Sequence, residues 1–323
     1  MKNTLNAQTK LLIGSAALLL AGAAQAETTF YGLVDLSVGK NEISTPDKRV
    51  DFHSGGDNGS SEGNSTTKLG VKGNTDVAPG LKANFQFETG GIGSDGKVNA
   101  DGTFFNRQAW AGVSGNLGEV RFGKQDSVAF QTQAGFDFNG ASNAATALGN
   151  SGVGPWLPNR QAKSLQYLAP TVGALKTQFG VQLAGDVPNA KNTYSLGATY
   201  TVGPLAVGVA GETKRTITGE SFKSIAASYD LGIVKGMASY ADGGDIANGG
   251  SGKGFGLGLT APVAGYTVGL IYGDNSDTKV KAIEAFVNRE VFKNTTVYFD
   301  FGNKWEPTKA TKFAYALGAI YAF

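Results

Sequence analysis

The sequence contains no cysteine, a single histidine and almost no net charge. Without cysteine the protein must be stable without disulfides, and thiol chemistry and cysteine-ligated zinc are excluded. The 28 basic and 26 acidic side chains nearly cancel, so no charge excess points to a nucleic-acid partner. Proline is also scarce, with nine residues, whereas glycine is abundant at 48. The glycines follow no G-X-Y period and lie inside alternating segments, which argues against both collagen and disorder.

A long apolar run occurs only near the amino terminus. Lys2 and Lys10 precede the apolar run Leu11–Ala24, and Ala24-Gln25-Ala26 forms an A-x-A cleavage site. This pattern is typical of a secretory signal peptide, and the run is too short to span a membrane comfortably as an anchor. The sequence therefore predicts a cleaved leader at residues 1–26, followed by one domain at residues 27–323.

The main signal after the leader is an alternation of apolar and polar residues. Between Leu175 and Leu183 the odd positions are apolar or threonine, and the even positions are Lys, Gln or Gly. The same pattern recurs in the segments Leu81–Glu88, Thr193–Val202, Phe255–Leu259, Tyr266–Tyr272 and Val297–Phe301. Segments of about ten residues with a period of two predict strands that can cross a bilayer at a tilt. The apolar face would meet lipid, and the face rich in Gly, Ser, Thr, Lys and Gln would line a wet interior.

The connections between these segments alternate in length. Short turns such as Asn74–Gly80 and Gly115–Gly118 alternate with long polar loops such as Lys40–Ser65 and Gln125–Gln161. Short turns at one end and long loops at the other are typical of outer-membrane barrels. The prediction is an all-β, antiparallel up-and-down transmembrane β-barrel of about sixteen strands, with both termini on the short-turn side.

Ordered motifs along the whole chain also carry a family resemblance. They are Thr29–Asp35, Lys68–Gly73, Gly80–Ala83, Phe105–Gly112, Gly118–Lys124, Ser164–Tyr167 and the carboxyl-terminal segment Phe313–Phe323. Taken together, these motifs resemble the trimeric general porins of Gram-negative outer membranes, most closely the beta-proteobacterial type. The resemblance implies a homotrimer of sixteen-stranded barrels surrounded by outer-membrane lipid and lipopolysaccharide. It further implies that the third long loop, Gln125–Pro158, folds into the lumen as a constriction, and that Phe323 is an assembly signal.

Candidate constriction residues follow from strand parity and from the resemblance. Parity places Lys68, Lys82, Arg121 and Arg160 on the lumen side. The resemblance adds Arg107, Lys124, Asp126 and Asp137. Lys68 and Lys124 stand where the family often has arginine, and the acidic Pro-Glu motif common in the loop is missing.

Arg107 conflicts with parity. It shares its parity with Ala109 and Ala111, which would direct it toward lipid, where an arginine costs about 2 to 4 kcal/mol at the midplane of a barrel. A bulge that turns it inward, or a position near the rim, would resolve the conflict. Both interpretations remain open from the sequence.

The predicted function is passive diffusion of ions and small hydrophilic solutes, with weak anion preference if the basic wall outweighs the loop acids. A substrate-specific channel is an alternative, with Tyr31, Trp110 and Tyr298 as inward aromatic candidates. A barrel enzyme built around His53 and an adhesin are further alternatives. The stretch Asp57–Glu62 offers oxygen ligands but lacks the spacing of an EF-hand. No catalytic residue, cofactor or metal site is predicted.

Overall fold

The computed structural model describes residues 27–44, 49–57, 62–98, 103–156, 158–185, 190–215, 219–243 and 252–323. The predicted signal peptide, residues 1–26, lies outside these described residues. Within them, no helix combines the length and the hydropathy needed to cross a membrane.

The described residues form one antiparallel sheet of 17 strands. The strands are β1 (Glu27–Asn41), β2 (Asp51–Ser54), β3 (Lys68–Ala78), β4 (Leu81–Gly90), β5 (Gln108–Gly115), β6 (Gly118–Asp126), β7 (Arg160–Leu168), β8 (Leu175–Gln182), β9 (Thr193–Val202), β10 (Leu205–Glu212), β11 (Phe222–Asp230), β12 (Lys235–Asp242), β13 (Gly254–Val263), β14 (Tyr266–Asn275), β15 (Lys281–Phe292), β16 (Thr295–Trp305) and β17 (Lys312–Ala322).

The sheet closes on itself because β1 pairs with β3 on one side and with β17 on the other. The short strand β2 pairs only with residues Leu36–Gly39 of β1. The remaining sixteen strands each pair with two neighbours and form the barrel wall. The predicted closed antiparallel barrel of about sixteen strands is therefore confirmed.

The alternation in the sequence becomes the two faces of the wall. In β13 the side chains of Phe255, Leu257 and Leu259 are exposed on the outer face, and Leu259 is 55% exposed. Gly254, Gly256 and Gly258 alternate with them and face the lumen. An outer face of contiguous exposed apolar side chains is stable against lipid and unfavourable against water.

The two ends of the barrel differ in their connections. At one end, two-residue turns join neighbouring strands, as at Ala264-Gly265, where both residues have positive φ (51° and 81°). Such turns match the twist of a hairpin. At the other end, long segments join β1 to β3, β4 to β5, β6 to β7 and β12 to β13. In outer-membrane barrels the short-turn end faces the periplasm and the long-loop end faces outward.

The longest of these connections folds inside the barrel. We call the described residues 127–156 and 158–159 the inner loop. It contains a first helix (Val128–Gln133), a 3₁₀ turn (Ala134–Phe136) and a second helix (Ala147–Ser151). The Ser127 hydroxyl accepts a hydrogen bond from the Phe130 amide at 3.0 Å, and the Thr146 hydroxyl accepts one from the Gly149 amide at 3.2 Å. These caps satisfy amides that each helix would otherwise leave unpaired.

The inner loop packs on the lumen face of β9–β16, where the first helix contacts β9 and β10 and the second contacts β14–β16. A buried apolar cluster joins the two surfaces, with Leu148 and Trp156 from the loop against Met237 and Ile271 from the wall. The wall residues at this contact must be small, because a Cβ at Gly273 would lie 2.2 Å from the Ser151 hydroxyl oxygen. Strand parity predicts a wet interior lined by a face rich in Gly, Ser, Thr, Lys and Gln. Instead, part of the wall is apolar, because the loop shields it from water.

Candidate pore constriction

A cavity of about 480 Å³ remains between the inner loop and the opposite wall, formed by β1 and β3–β6. Charged and polar side chains from the wall line one side. Its wall residues are Tyr31, Lys68, Lys72, Gln86, Glu88, Arg107, Gln108, Arg121, Gln125 and Asp126. Phe130, Gln131 and residues 139–142 of the inner loop line the other side, with residues 64–65. This cavity therefore lies between the inner loop and one half of the barrel wall.

Glu88 lies at the centre of the charged wall. Its carboxylate is 2.5 Å from the Arg107 Nε and 3.7 Å from the Lys68 Nζ, and it accepts a hydrogen bond from the Tyr31 hydroxyl at 2.9 Å. The Tyr31 hydroxyl in turn accepts one from the Gln86 amide at 2.6 Å. Hydrogen bonds to charged groups are short and directional. This network fixes two cations on the wall and leaves them with one carboxylate to share.

Arg121 lies further toward the short-turn end. Its guanidinium donates to Glu119 at 2.8 Å and stacks over the Trp110 ring, with the guanidinium carbon 4.4 Å from the ring centroid. The Trp110 indole N–H donates to Gln108 at 3.0 Å. Cation–π contact and ion pairing together hold the arginine flat against the wall.

Asp126 and Arg160 meet where the inner loop leaves and rejoins the wall. The Arg160 Nε lies 3.3 Å from the Asp126 carboxylate, and the guanidinium approaches the ring of Phe130. The side-chain amides of Gln131 and Gln166 each donate to the backbone carbonyl of Asp126 at 2.8 Å. The start of the inner loop is thus fixed by polar contacts to β7.

The far side of the inner loop is anchored by a cluster of acidic side chains. Asn139 donates to Glu284 at 2.7 Å and to Asp300 at 3.0 Å. The backbone amide of Ala147 donates to Glu284 at 3.0 Å. Asn64 donates to the other oxygen of Asp300 at 2.9 Å. These carboxylates are buried, and amide donors satisfy them.

Asp137 belongs to the same anchor. It accepts hydrogen bonds from the Asn139 amide at 3.3 Å and from the Thr146 hydroxyl at 3.4 Å. Burial raises the pKa of Asp137 to about 6, and the nearby charge of Asp300 adds to this effect. The predicted role of Asp137 at the constriction is not supported, because its side chain is buried behind the inner loop and does not line the cavity.

Most of the predicted basic residues do converge on the cavity. Lys68, Arg107 and Arg121 line it, and Arg160 reaches it through its ion pair with Asp126. Arg107 lines the cavity although its parity with Ala109 and Ala111 predicts an outward side chain. The parity does not apply to it, because β5 begins only at Gln108 and Arg107 lies in the preceding bend. Its side chain is therefore free of the strand alternation and turns inward.

Two predicted residues lie elsewhere. Lys82 faces the lumen but lies at the short-turn end, where it is 3.4 Å from Asp76 and half-exposed. Lys124 stands opposite Ala109 in the strand register, so its side chain points to the outer face, and it is absent from the cavity lining. Sequence motifs position both residues on the correct strands, but height along the strand and facing direction decide whether they reach the constriction.

Glu88 and Lys72 also line the cavity, although neither is among the constriction residues predicted from the sequence. Both share the parity of inward residues, since Glu88 alternates with Phe87 and Lys72 with Val71. Parity alone could therefore have identified them. Parity could not rank them above other inward charges, because which of them faces the loop depends on how the loop folds.

Comparison with known proteins relates this architecture to a family. The sequence profile described as Gram-negative porin matches residues 14–305. The outer membrane porin protein 32 of Delftia acidovorans is 29% identical over 281 residues, covering 79% of this chain and 76% of that protein. An anion-selective porin from Comamonas acidovorans has a similar structure, with a TM-score of 0.72 and 23% identity over 92% of this chain and 100% of that chain. A trimer form of the Vibrio cholerae outer membrane protein OmpT has a TM-score of 0.63 and 16% identity over 92% of this chain and 99% of that chain.

Proposed function

Since this chain belongs to the Gram-negative porin family, it forms a channel in the outer membrane, and we propose that the channel passes small hydrophilic solutes with a weak preference for anions. The observation that carries this preference is the charge of the cavity lining. Four cationic side chains (Lys68, Lys72, Arg107 and Arg121) line it with two carboxylates (Glu88 and Asp126). A fixed excess of positive charge in this cavity raises the local concentration of anions and lowers that of cations.

The distribution of these charges matters as much as their number. Arg107 and Lys68 share Glu88, and Arg121 pairs with Glu119. Lys72 lies over the Tyr31 ring, 5.3 Å from its centroid, and forms no salt bridge within the described residues. Lys72 therefore contributes the least compensated positive charge, and the preference is weak because most other cations are paired.

Ion selectivity in planar bilayers tests this proposal. Single channels are recorded with a KCl gradient across the membrane, and the zero-current potential gives the permeability ratio of chloride to potassium. We expect the sign of an anion-preferring pore. A potential of the opposite sign would contradict the proposal, and the absence of conductance steps would contradict the open channel itself.

We further propose that three copies assemble into a homotrimer in contact with outer-membrane lipid and lipopolysaccharide. The support is the family membership of the chain together with the trimer form of a structural neighbour. Chemical cross-linking and native mass spectrometry of the detergent-solubilised protein test the stoichiometry, and a monomer under both conditions would refute it. We also propose that residues 1–26 are removed on export, which amino-terminal sequencing of the protein from membranes tests.

A further inference from the structure

A second segment of the chain enters the lumen, between β2 and β3. The wall strand β2 ends at Ser54, and the chain rejoins the wall at Lys68, the first residue of β3. We call residues 62–67 of this connection the inner strap. Glu62 and Thr67, at its two ends, are buried. The inner strap is separate from the inner loop and makes its own contacts with β1 and β16.

Asp35 and Tyr298 hold the inner strap against the wall. The Asp35 carboxylate accepts hydrogen bonds from the backbone amides of Asn64 at 2.8 Å and of Ser65 at 2.6 Å. The Tyr298 side chain reaches across β17, and its hydroxyl donates to the same carboxylate at 2.6 Å. A Cβ at Gly63 would lie 2.4 Å from the Tyr298 hydroxyl oxygen and 2.5 Å from an Asp35 carboxylate oxygen. The inner strap therefore lies directly on this part of the wall, and glycine is required at its closest point.

The inner strap is also bonded to the inner loop. The carbonyl of Gly63 accepts a hydrogen bond from the Ala144 amide at 3.0 Å. The side-chain amide of Asn64 donates to Asn139 at 2.9 Å and to Asp300 at 2.9 Å. The two segments thus form one surface inside the barrel, and residues 64–65 of the inner strap line the cavity.

This surface covers an acidic part of the lumen wall. Asp35 on β1 and Asp300 on β16 are 0% and 1% exposed, although strand parity directs both toward the lumen. Neither forms a salt bridge with a residue that the structure describes, and both accept hydrogen bonds from the inner strap. A carboxyl group in contact with water is ionised at neutral pH. Without the inner strap, this wall would present two uncompensated negative charges to the lumen.

We propose that the inner strap sets the ion preference of the channel by keeping Asp35 and Asp300 out of contact with permeating ions. This role rests on the proposed anion-preferring channel. With the inner strap in place, ions meet the four cations and two carboxylates of the cavity. If it were displaced, the two aspartates would bring the carboxylates to four, equal to the cations. The excess of positive charge that favours anions would then be lost.

Cysteine labelling measures whether the inner strap covers the wall. The chain has no cysteine, so a single introduced thiol reports alone. Ser37→Cys places a thiol of nearly the same shape two residues from Asp35 on the same face, where Ser37 is 6% exposed. Thr201→Cys lies on the lumen face of β9 at an exposed position and shows that an impermeant, anionic methanethiosulfonate enters the lumen. We expect Thr201→Cys to be labelled and Ser37→Cys to be protected. Equal labelling of the two would overturn the proposal.

Gly63→Ala displaces the inner strap without changing any charge, because its methyl group would overlap the Tyr298 hydroxyl. In this background Ser37→Cys should be labelled about tenfold faster, since losing hydrogen bonds to a charged group shifts a local opening by about that factor. The permeability ratio of chloride to potassium should fall about fivefold, the effect of one carboxylate about 5 Å from a passing ion. Unchanged labelling, or faster labelling with an unchanged ratio, would overturn the proposal.

A second variant and a matched control complete the test. Asn64→Ala removes the bonds to Asn139 and Asp300, and it should change labelling and ratio in the same directions even if Gly63→Ala fails to fold. Gly135→Ala is the control, because a Cβ there meets no atom within 4 Å, and both readouts should match the wild type. Equal effects of Gly135→Ala and Gly63→Ala would overturn the proposal.

The role of the inner strap and the proposed ion preference can fail separately. A wild type that prefers cations contradicts the proposed preference, whereas a further shift toward potassium in Gly63→Ala still supports the role of the inner strap. An anion-preferring wild type whose ratio is the same in Gly63→Ala contradicts only the role of the inner strap.

Discussion

Replacing Glu88 by glutamine should strengthen the anion preference of the pore. Glu88 is the carboxylate shared by Arg107 and Lys68, and its side chain is 5% exposed. Glutamine has nearly the same shape and can still accept the hydrogen bond from Tyr31. The change therefore removes one negative charge from the constriction with little change in volume, which leaves four lining cations against Asp126 alone.

The size of the effect follows from Coulomb's law. A unit charge about 5 Å from a passing ion is worth about 0.8 kcal/mol in water. Removing a carboxylate favours an anion and disfavours a cation by that amount each, or about 1.6 kcal/mol between them. Screening with a Debye length of about 10 Å at 0.1 M salt reduces this to about 1 kcal/mol. The permeability ratio of chloride to potassium should then rise about fivefold.

Zero-current potentials in a KCl gradient measure this ratio directly. Asp76→Asn is the matched control, because it makes the same change in charge at the short-turn end, where the Asp76 side chain is 77% exposed. We expect the control to shift the ratio less than about twofold, because screening in open solvent is stronger. Lys72→Gln should shift the ratio in the opposite direction. The reasoning is refuted if Glu88→Gln leaves the ratio unchanged, or if it and Asp76→Asn act equally.

Three further predictions concern the inner loop and barrel closure. Gly273→Val places a side chain against the Ser151 hydroxyl and should displace the second helix. We expect the free energy of unfolding to fall by about 1 to 3 kcal/mol and the single-channel conductance to change. Unaltered conductance would contradict the packing described. Deleting Phe323 removes backbone hydrogen bonds of 2.9 and 3.1 Å to Gly32 at the seam and should reduce the folded protein recovered from outer membranes, whereas wild-type recovery would refute an assembly role. Because the pKa of Asp137 is raised to about 6, its neutral form favours the folded state. Its stabilising effect is complete below pH of about 4 and lost as pH rises through about 6. Asp137→Asn should flatten the fall in melting temperature between pH 4 and 8, and an unchanged pH profile would count against this assignment.

Strand parity predicted the architecture because the wall is a repetitive structure. Each spanning strand must present one face to lipid and the other to the lumen, so the period of two and the alternation of turn lengths recur all along the chain. The same parity correctly placed Lys68 and Arg121 toward the interior, whereas the alternation counted for Arg160 is interrupted in β7, where Ala162 and Lys163 are both exposed. A local pattern can specify these features, since each depends only on the strand that contains the residue.

Arg107 and Lys124 show where local patterns reach their limit. Parity assigns a direction only within a strand, and Arg107 precedes the first residue of β5. Lys124 lies within β6, and its register with Ala109 directs it outward although it belongs to a motif otherwise associated with the pore. The start of a strand and the facing direction of each residue depend on hydrogen bonds to a neighbouring strand, which single-strand patterns do not contain.

By itself, the sequence determined the barrel and its orientation, because these follow from alternation and from turn length. Only the tertiary structure decided which charges form the constriction. The inner loop covers an apolar, glycine-rich wall and anchors on Glu284 and Asp300, more than 130 residues further along the chain. That docking buries Asp137 and leaves a cavity lined by Glu88 and its partner cations, an arrangement that no single segment specifies.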